Sequence, residues 1–461
     1  MFATMCPRSG WIMLAMEQTR STGGLGVASG AALYVGAVLG PGVLLLPALA
    51  AQAAGPASVL AWAGLLAASL AIAATFAALG VRHPVAGGAA AYVRAAYGRR
   101  AAAVTGWWFY GGVVAGAPAV WLIGGFYVAH LTGGGRPMAV AAAAAMMVVV
   151  VAANARGLHA TARVQLGLAA LLAVLLLVAV TSALPSARAA NWTPFAPHGW
   201  LAIGTAANLL MLSFVGWEAV AHLAGDFADP HRQLPRAMLA AFAIVAVLYL
   251  GLAVTTVAVL GGAPGSTVPL ADLMQRGLGD ASGALTAGAA VLLTVGTTNA
   301  YVAGATRLAT ALAADGSMPR AMARPGMPLA VIAVASVAIL AALAAGLVDV
   351  DPIVRAISTS FVAVYVAATA AGVRLLDGRL RATAALSLVL VAAVLAFSGP
   401  YVAAPAGIAL LALGFVSARA GGAARNAPPP ARHGHGPSSS AYSSPMSCAT
   451  RARCSPASPH R

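Results

Sequence analysis

Long apolar runs separated by short polar segments repeat along the chain, and each run is long enough to span a bilayer. They are read at about 28–53, 56–80, 103–130, 137–153, 160–184, 200–223, 237–261, 283–305, 328–347, 352–373, 382–397 and 400–417. About 20 apolar residues are needed to cross the hydrocarbon core as a helix. Only helices and closed barrels satisfy their own backbone there, and the alternation of a membrane barrel is absent. The pattern predicts an all-α polytopic membrane protein with about twelve transmembrane helices.

Composition agrees. Charged residues are 8% of the 461 and hydrophobic residues 61%, with mean hydropathy +0.88. Soluble domains carry about 25% charged residues, so an ordinary soluble enzyme or binding module is excluded. The net charge of +16 comes from 26 arginines, with no lysine, against eight Asp and two Glu. A nucleic-acid platform would gather them on one stripe among aromatic residues; here they sit between apolar runs, and no nucleic-acid partner is expected.

With an intracellular amino terminus, the inside loops hold fourteen arginines and the outside loops four (Arg136, Arg188, Arg276, Arg355). That asymmetry puts both termini in the cytoplasm of a multi-pass cell-membrane protein. The chain divides into an amino-terminal segment at 1–27, helix groups at 28–184, 185–375 and 376–417, and a tail at 418–461. Residues 1–15 read as poorly ordered or as an upstream start artefact, with Met16 the true start. The Pro-, Ser-, Arg- and His-rich tail reads as disordered. Its His433, His435, Cys448 and Cys454 fit no zinc spacing, so no metal or other cofactor is expected.

Two spans carry helix-breaking sequence at mid-membrane. Gly36 to Val43 includes Gly40, Pro41 and Gly42; Ser213 to Glu218 sets Gly216 beside a carboxylate. The two breaks are 176 residues apart (Gly40 to Gly216) and fall at the same position in successive groups of five spans, the pattern of an inverted-repeat transporter. A broken helix exposes free amides and free carbonyls. Amides after Gly40–Gly42 suit a carboxylate, and carbonyls near Val38 and Phe214 suit an ammonium group. A zwitterionic amino acid offers both. The candidate substrate contacts are therefore Val38, Gly40, Pro41, Gly42, Val43, Phe214, Gly216 and Trp217; kinks without a site are the alternative.

Of the ten acidic residues, only Glu218 falls inside a span. Such a carboxylate is a functional candidate by default, here for proton coupling, with His222 one turn later. The alternative is bracing, with Glu218 hydrogen-bonded to the exposed backbone of the broken first helix. Thr294, Thr297 and Thr298 on the eighth span, with Asn299, are candidates for a pocket or sodium site. Hydroxyls in membrane helices also commonly bond back to their own carbonyls, so the coupling ion stays open between a proton and sodium.

The residues resemble the amino acid–polyamine–organocation superfamily. The resemblance is carried by Gly40 to Pro47; by the loop Pro84 to Val93 with Gly87 and Gly88; by Asn154 to Gly157 leading to Gln165; by Phe214 to Glu218 through Asp226, Asp229-Pro230 and Leu234-Pro235-Arg236; and by Arg307 with Asp315-Gly316 and Pro319. Gly216 to Ala219 with Ala221-His222-Leu223, Val104 to Trp107, and Gly116-Ala117-Pro118 are most similar to bacterial exporters of methionine and branched-chain amino acids. The resemblance implies the leucine-transporter fold, a 5+5 inverted repeat plus two extra helices, and alternating access around a midplane site. It implies no enzyme. A channel or a non-transporting sensor is the alternative from another class, and an uptake permease or amine transporter the alternative within the fold.

Overall fold

The computed structural model describes residues 26–83, 88–158, 162–218, 227, 229–261 and 266–425. His222, Asp226 and Gly87, the amino-terminal segment before residue 26 and the tail after 425 lie outside the described residues. Contacts divide the chain into a unit Met1–Arg419 and a second unit, Ala420–Arg461.

Fourteen α-helices are described: α1 (Val27–Val38), α2 (Leu46–Ala54), α3 (Ser58–Arg82), α4 (Gly88–Thr132), α5 (Gly135–Ala155), α6 (Ala162–Ala183), α7 (Ala202–Leu210), α8 (Pro230–Thr255), α9 (Pro269–Leu278), α10 (Ser282–Ala314), α11 (Met327–Ala344), α12 (Val350–Leu375), α13 (Gly378–Ala396) and α14 (Ala403–Arg425). Among the described residues ten helical segments are long and apolar enough to cross a membrane. The remaining two of the twelve expected spans are the first and the sixth, each interrupted where its sequence breaks.

Several boundaries differ from the apolar runs. The third span is one long element because a helix begins at Gly88 and bends at Gly98, whose φ of 81° favours glycine. The amphipathic helix α9, between the seventh and eighth spans, is too polar to register as an apolar run. The seventh span starts early, at Pro230, where Asp229 caps it. The Asp229 carboxylate accepts from the Arg232 amide, and its own N–H donates to Gln233. Pro235 sits inside this helix and Arg236 is exposed.

The central helices α4 and α12 are mostly buried. In α12, 72% of the apolar window is inside the protein, against 22% in α13 and 17% in α14. The last two spans are therefore peripheral, and their outer faces, with Leu386, Val389, Leu410 and Leu411, are left for lipid.

Candidate functional site

The first span stops being helical at Val38. Leu39 and Gly40 are non-helical, Pro41–Leu44 forms one 3₁₀ turn, and α2 resumes at Leu46. The sixth span passes from α7 into a 3₁₀ turn at Met211–Phe214, and then into extended backbone at Val215. Proline and glycine account for the first break, because Pro41 supplies no amide to continue the helical ladder. The second rests on Gly216, whose φ is 133°. A Cβ there would overlap the Ala37 carbonyl oxygen and lie 2.7 Å from Ala37 C and 3.1 Å from Val38 Cα. Glycine thus lets the two broken helices touch backbone to backbone.

Two tyrosines on other helices hold the breaks. The Tyr249 hydroxyl, from α8, lies 3.0 Å from Val38 O and 2.8 Å from Ser213 O. One hydroxyl proton is therefore shared by carbonyls of both broken helices. Tyr249→Phe removes that donor and leaves buried carbonyls underpaired, at a cost of about 1–3 kcal/mol. A lowered thermal midpoint for purified protein in detergent is the expected readout.

Tyr365, on α12, meets the other side of the sixth-helix break. Its hydroxyl hydrogen-bonds the Glu218 carboxylate. The Gly216 N–H is shared between Glu218 Oε2 at 2.9 Å and the Tyr365 oxygen at 3.1 Å. Glu218 is thus bound to its own helix break and to α12; among the described residues it makes no hydrogen bond to the first helix, the partner that the alternative bracing reading would need.

A cavity lies at the meeting of the breaks, with an empty volume of about 740 Å³ that includes space open to solvent. Gly40, Pro41 and Gly42 form one side, and Leu212 and Val215 another. Gly112, Gly116, Ala117 and Ile123 of α4, with Val354, Ile357 and Phe361 of α12, make an apolar wall. Thr297, Thr298 and Tyr301 of α10 add hydroxyls to the lining, which among the described residues includes no charged side chain. A larger neighbouring cavity shares Thr297, Tyr301 and Phe361 with it and extends past Gly216, Glu218 and Tyr365 to Gly88 and Arg307. Glu218 therefore lines the larger cavity, in common with Arg307.

The structure sorts the candidate residues. Gly40, Pro41, Gly42, Gly216, Glu218, Thr297 and Thr298 line one of the two cavities. Val38, Val43, Phe214 and Trp217 are buried side chains outside both linings. Phe214 packs against Trp62 and Tyr249, with ring centroids 5.9 and 5.3 Å away, because the 3₁₀ turn aims it at α3 and α8. Asn299 also points elsewhere. It accepts from Asn154 at 2.6 Å and donates to Leu158 O, tying α10 to the end of α5. Thr298 donates to Thr294 O and accepts from Trp121, so its hydroxyl joins α10 to α4. The Thr294 hydroxyl has no partner and lies beside Gly124 of α4.

Of the apolar walls, only Gly116 and Ala117 fall in a motif that the sequence singles out. A signal for the walls was present, because Gly112 and Gly116 are four apart, and Val354, Ile357 and Phe361 recur at helical spacing. Such patterns look the same whether a face meets a ligand or another helix.

The amino acid permease family model matches residues 25–420. The chain belongs to the amino acid permease family. This permease is 33% identical over 358 residues to "Uncharacterized amino acid permease YecA" of Bacillus subtilis, covering 76% of this chain and 84% of that one. It is 29% identical to the "L-methionine/branched-chain amino acid exporter YjeH" of Escherichia coli over 230 residues, 49% of this chain and 54% of that one. With the "Branched-chain amino acid permease BcaP" of Bacillus subtilis it shares 26% identity over 202 residues, covering 42% and 43% of the two chains. These relatives are transporters, and the permease is a multi-pass membrane protein of the amino acid–polyamine–organocation superfamily.

Proposed function

We propose that this permease is a proton-coupled secondary transporter that exports neutral, apolar amino acids by alternating access. The observation carrying this reading is the uncharged apolar cavity set against the broken backbone of the first helix. Backbone dipoles at the break suit the amino acid's own charges, while the α4 and α12 walls suit an aliphatic or thioether side chain. A lysine, arginine or glutamate side chain would meet no opposite charge there and would bear its desolvation cost uncompensated.

The hydrogen bonds at Glu218 support proton coupling. The carboxylate accepts hydrogen bonds from Gly216 and Tyr365 together. Protonation turns one acceptor oxygen into a donor, so the grip of α12 on the sixth-helix break changes with the charge state. The Thr298 hydroxyl is already engaged by Trp121 and the Thr294 carbonyl, which supports a proton over sodium as the coupling ion. The arginine-rich end, which carries Arg94, Arg99 and Arg307, is taken as cytoplasmic. The similarity to YjeH supports an apolar substrate and the export direction. The test is efflux of labelled L-leucine from proteoliposomes. With the cytoplasmic ends facing inward, an acidic exterior accelerates efflux through the wild-type protein; indifference to the gradient overturns the coupling, and acceleration by an acidic interior overturns the direction.

A further inference from the structure

Three arginines gather where α4, the loop after α10 and the last helix, α14, meet. Arg94 donates to Asp315 Oδ2 at 3.0 Å, and the Ser317 amide donates to Asp315 Oδ1 at 2.9 Å, so both oxygens of that carboxylate are engaged. Arg99, which follows the bend at Gly98, reaches only the backbone of the same residue, donating to Asp315 O at 3.1 Å. Arg419 comes from α14. A methyl added at Gly316 would lie 3.1 Å from Arg419 Nη1 and 3.6 Å from Arg99 Nη1, so both guanidinium groups close on this one glycine.

Two cations so placed lack a counter-charge. Among the described residues no ion pair includes Arg99 or Arg419. Arg419 Nη1 is enclosed without a hydrogen-bond partner, whereas buried polar atoms are nearly always paired. Arg419 as a whole stays partly exposed and Arg99 is exposed, so the pair is open to an anion from outside. Of the five donors on the Arg99 guanidinium, one is spent on Asp315 O. Residues 420–461 contain no Asp or Glu to supply the charge. The surroundings are those of a membrane interface. Arg419 is the last residue of the apolar span Gly399–Arg419, whose outer face includes Leu410 and Leu411. Its guanidinium carbon lies 5.8 Å from the centre of the Phe415 ring, and Phe415 packs on Trp107 with centroids 6.2 Å apart. The Trp107 indole N–H donates to Ser317 O at 2.8 Å. Aromatic rings and arginines at a span end are the groups that sit at headgroup level.

We propose that Arg99 and Arg419 form a binding site for the phosphodiester of an anionic phospholipid. Guanidinium groups match phosphate oxygens in geometry as well as in charge, and basic clefts between membrane helices suit such headgroups. Phosphatidylglycerol brings one negative charge and no cation. Phosphatidylcholine carries a quaternary ammonium that would meet the arginines, so the pair discriminates against it. A bound headgroup bridges α4 to α14 across Gly316 and neutralises the two charges that Asp315 leaves over. None of Arg99, Gly316 and Arg419 lines either central cavity, and the inference is independent of what the permease carries.

Native mass spectrometry of the purified full-length permease, titrated in detergent with dioleoylphosphatidylglycerol or dioleoylphosphatidylcholine, reads the site. The expected result is preferential retention of phosphatidylglycerol, bound about tenfold more weakly in Arg419→Gln, as for one lost charge-assisted hydrogen bond. Arg99→Gln is expected to show the same loss and serves should the first variant not yield monodisperse protein. Arg379 of α13 is exposed and, among the described residues, in no ion pair, so Arg379→Gln is expected to bind as the wild type does. Binding that is unchanged in both cluster variants, or that falls equally in Arg379→Gln, overturns the site and leaves only general charge attraction. Phosphatidylcholine held as tightly as phosphatidylglycerol overturns it as well. Inorganic phosphate that displaces phosphatidylglycerol at equal concentration assigns the arginines to a soluble anion and overturns the lipid.

Discussion

Gly216→Ala is expected to abolish transport. The backbone at this position has a φ of 133°, which a residue with a Cβ adopts only under strain, at a cost of about 1–3 kcal/mol. Strain is the smaller part of the effect. The new methyl would overlap the Ala37 carbonyl oxygen, a backbone atom that cannot swing aside as a flexible side chain would. Relief requires the two broken helices to separate, and that opens the contact on which both breaks depend. The Gly216 N–H would move with them, away from Glu218 and Tyr365. Transport in proteoliposomes is the direct check, with the thermal midpoint in detergent as a second readout. A Gly216→Ala protein that transports at the wild-type rate would show that the two breaks do not need their close approach.

Glu218→Gln separates coupling from shape. Glutamine has nearly the same volume, and its amide oxygen can still accept from the Gly216 N–H. It cannot take up or release a proton. The expected outcome is complete loss of pH-gradient-driven net movement, with flux falling to the level measured without a gradient. Tyr365→Phe is a useful companion, since it removes the α12 contact and leaves the carboxylate in place. Gradient-driven flux that persists in Glu218→Gln would assign proton coupling to another group.

Much of the architecture is legible in the sequence because membrane spans obey a strong physical rule. Backbone groups must be satisfied within each span, so runs such as Ser58–Arg82 and Met327–Ala344 can hardly be anything but helix. The two breaks are equally legible, because Gly40-Pro41-Gly42 and Gly216 interrupt otherwise continuous apolar runs. Glu218 stands out by its isolation within a span. What could not be read was the direction in which side chains point around irregular backbone. Helical periodicity assigns faces, but it fails once a 3₁₀ turn intervenes, and so Phe214 and Trp217 proved to be core residues. Tyr249 and Tyr365 were invisible for another reason. Each lies in an ordinary apolar helix, and its role depends on a contact with a segment 36 or 149 residues away. Asn299 shows the converse, a polar residue in a span that serves helix packing.

Transport of neutral amino acids through the apolar cavity at the paired breaks is the function to be tested. Counterflow measures this without presuming direction or coupling. Proteoliposomes loaded with each of the twenty amino acids in turn would be diluted into a trace of the same amino acid labelled. Transient accumulation of label is expected for methionine, leucine, isoleucine and valine, and none for lysine, arginine, aspartate or glutamate. Accumulation of the charged amino acids instead, or of none of the twenty, would contradict it.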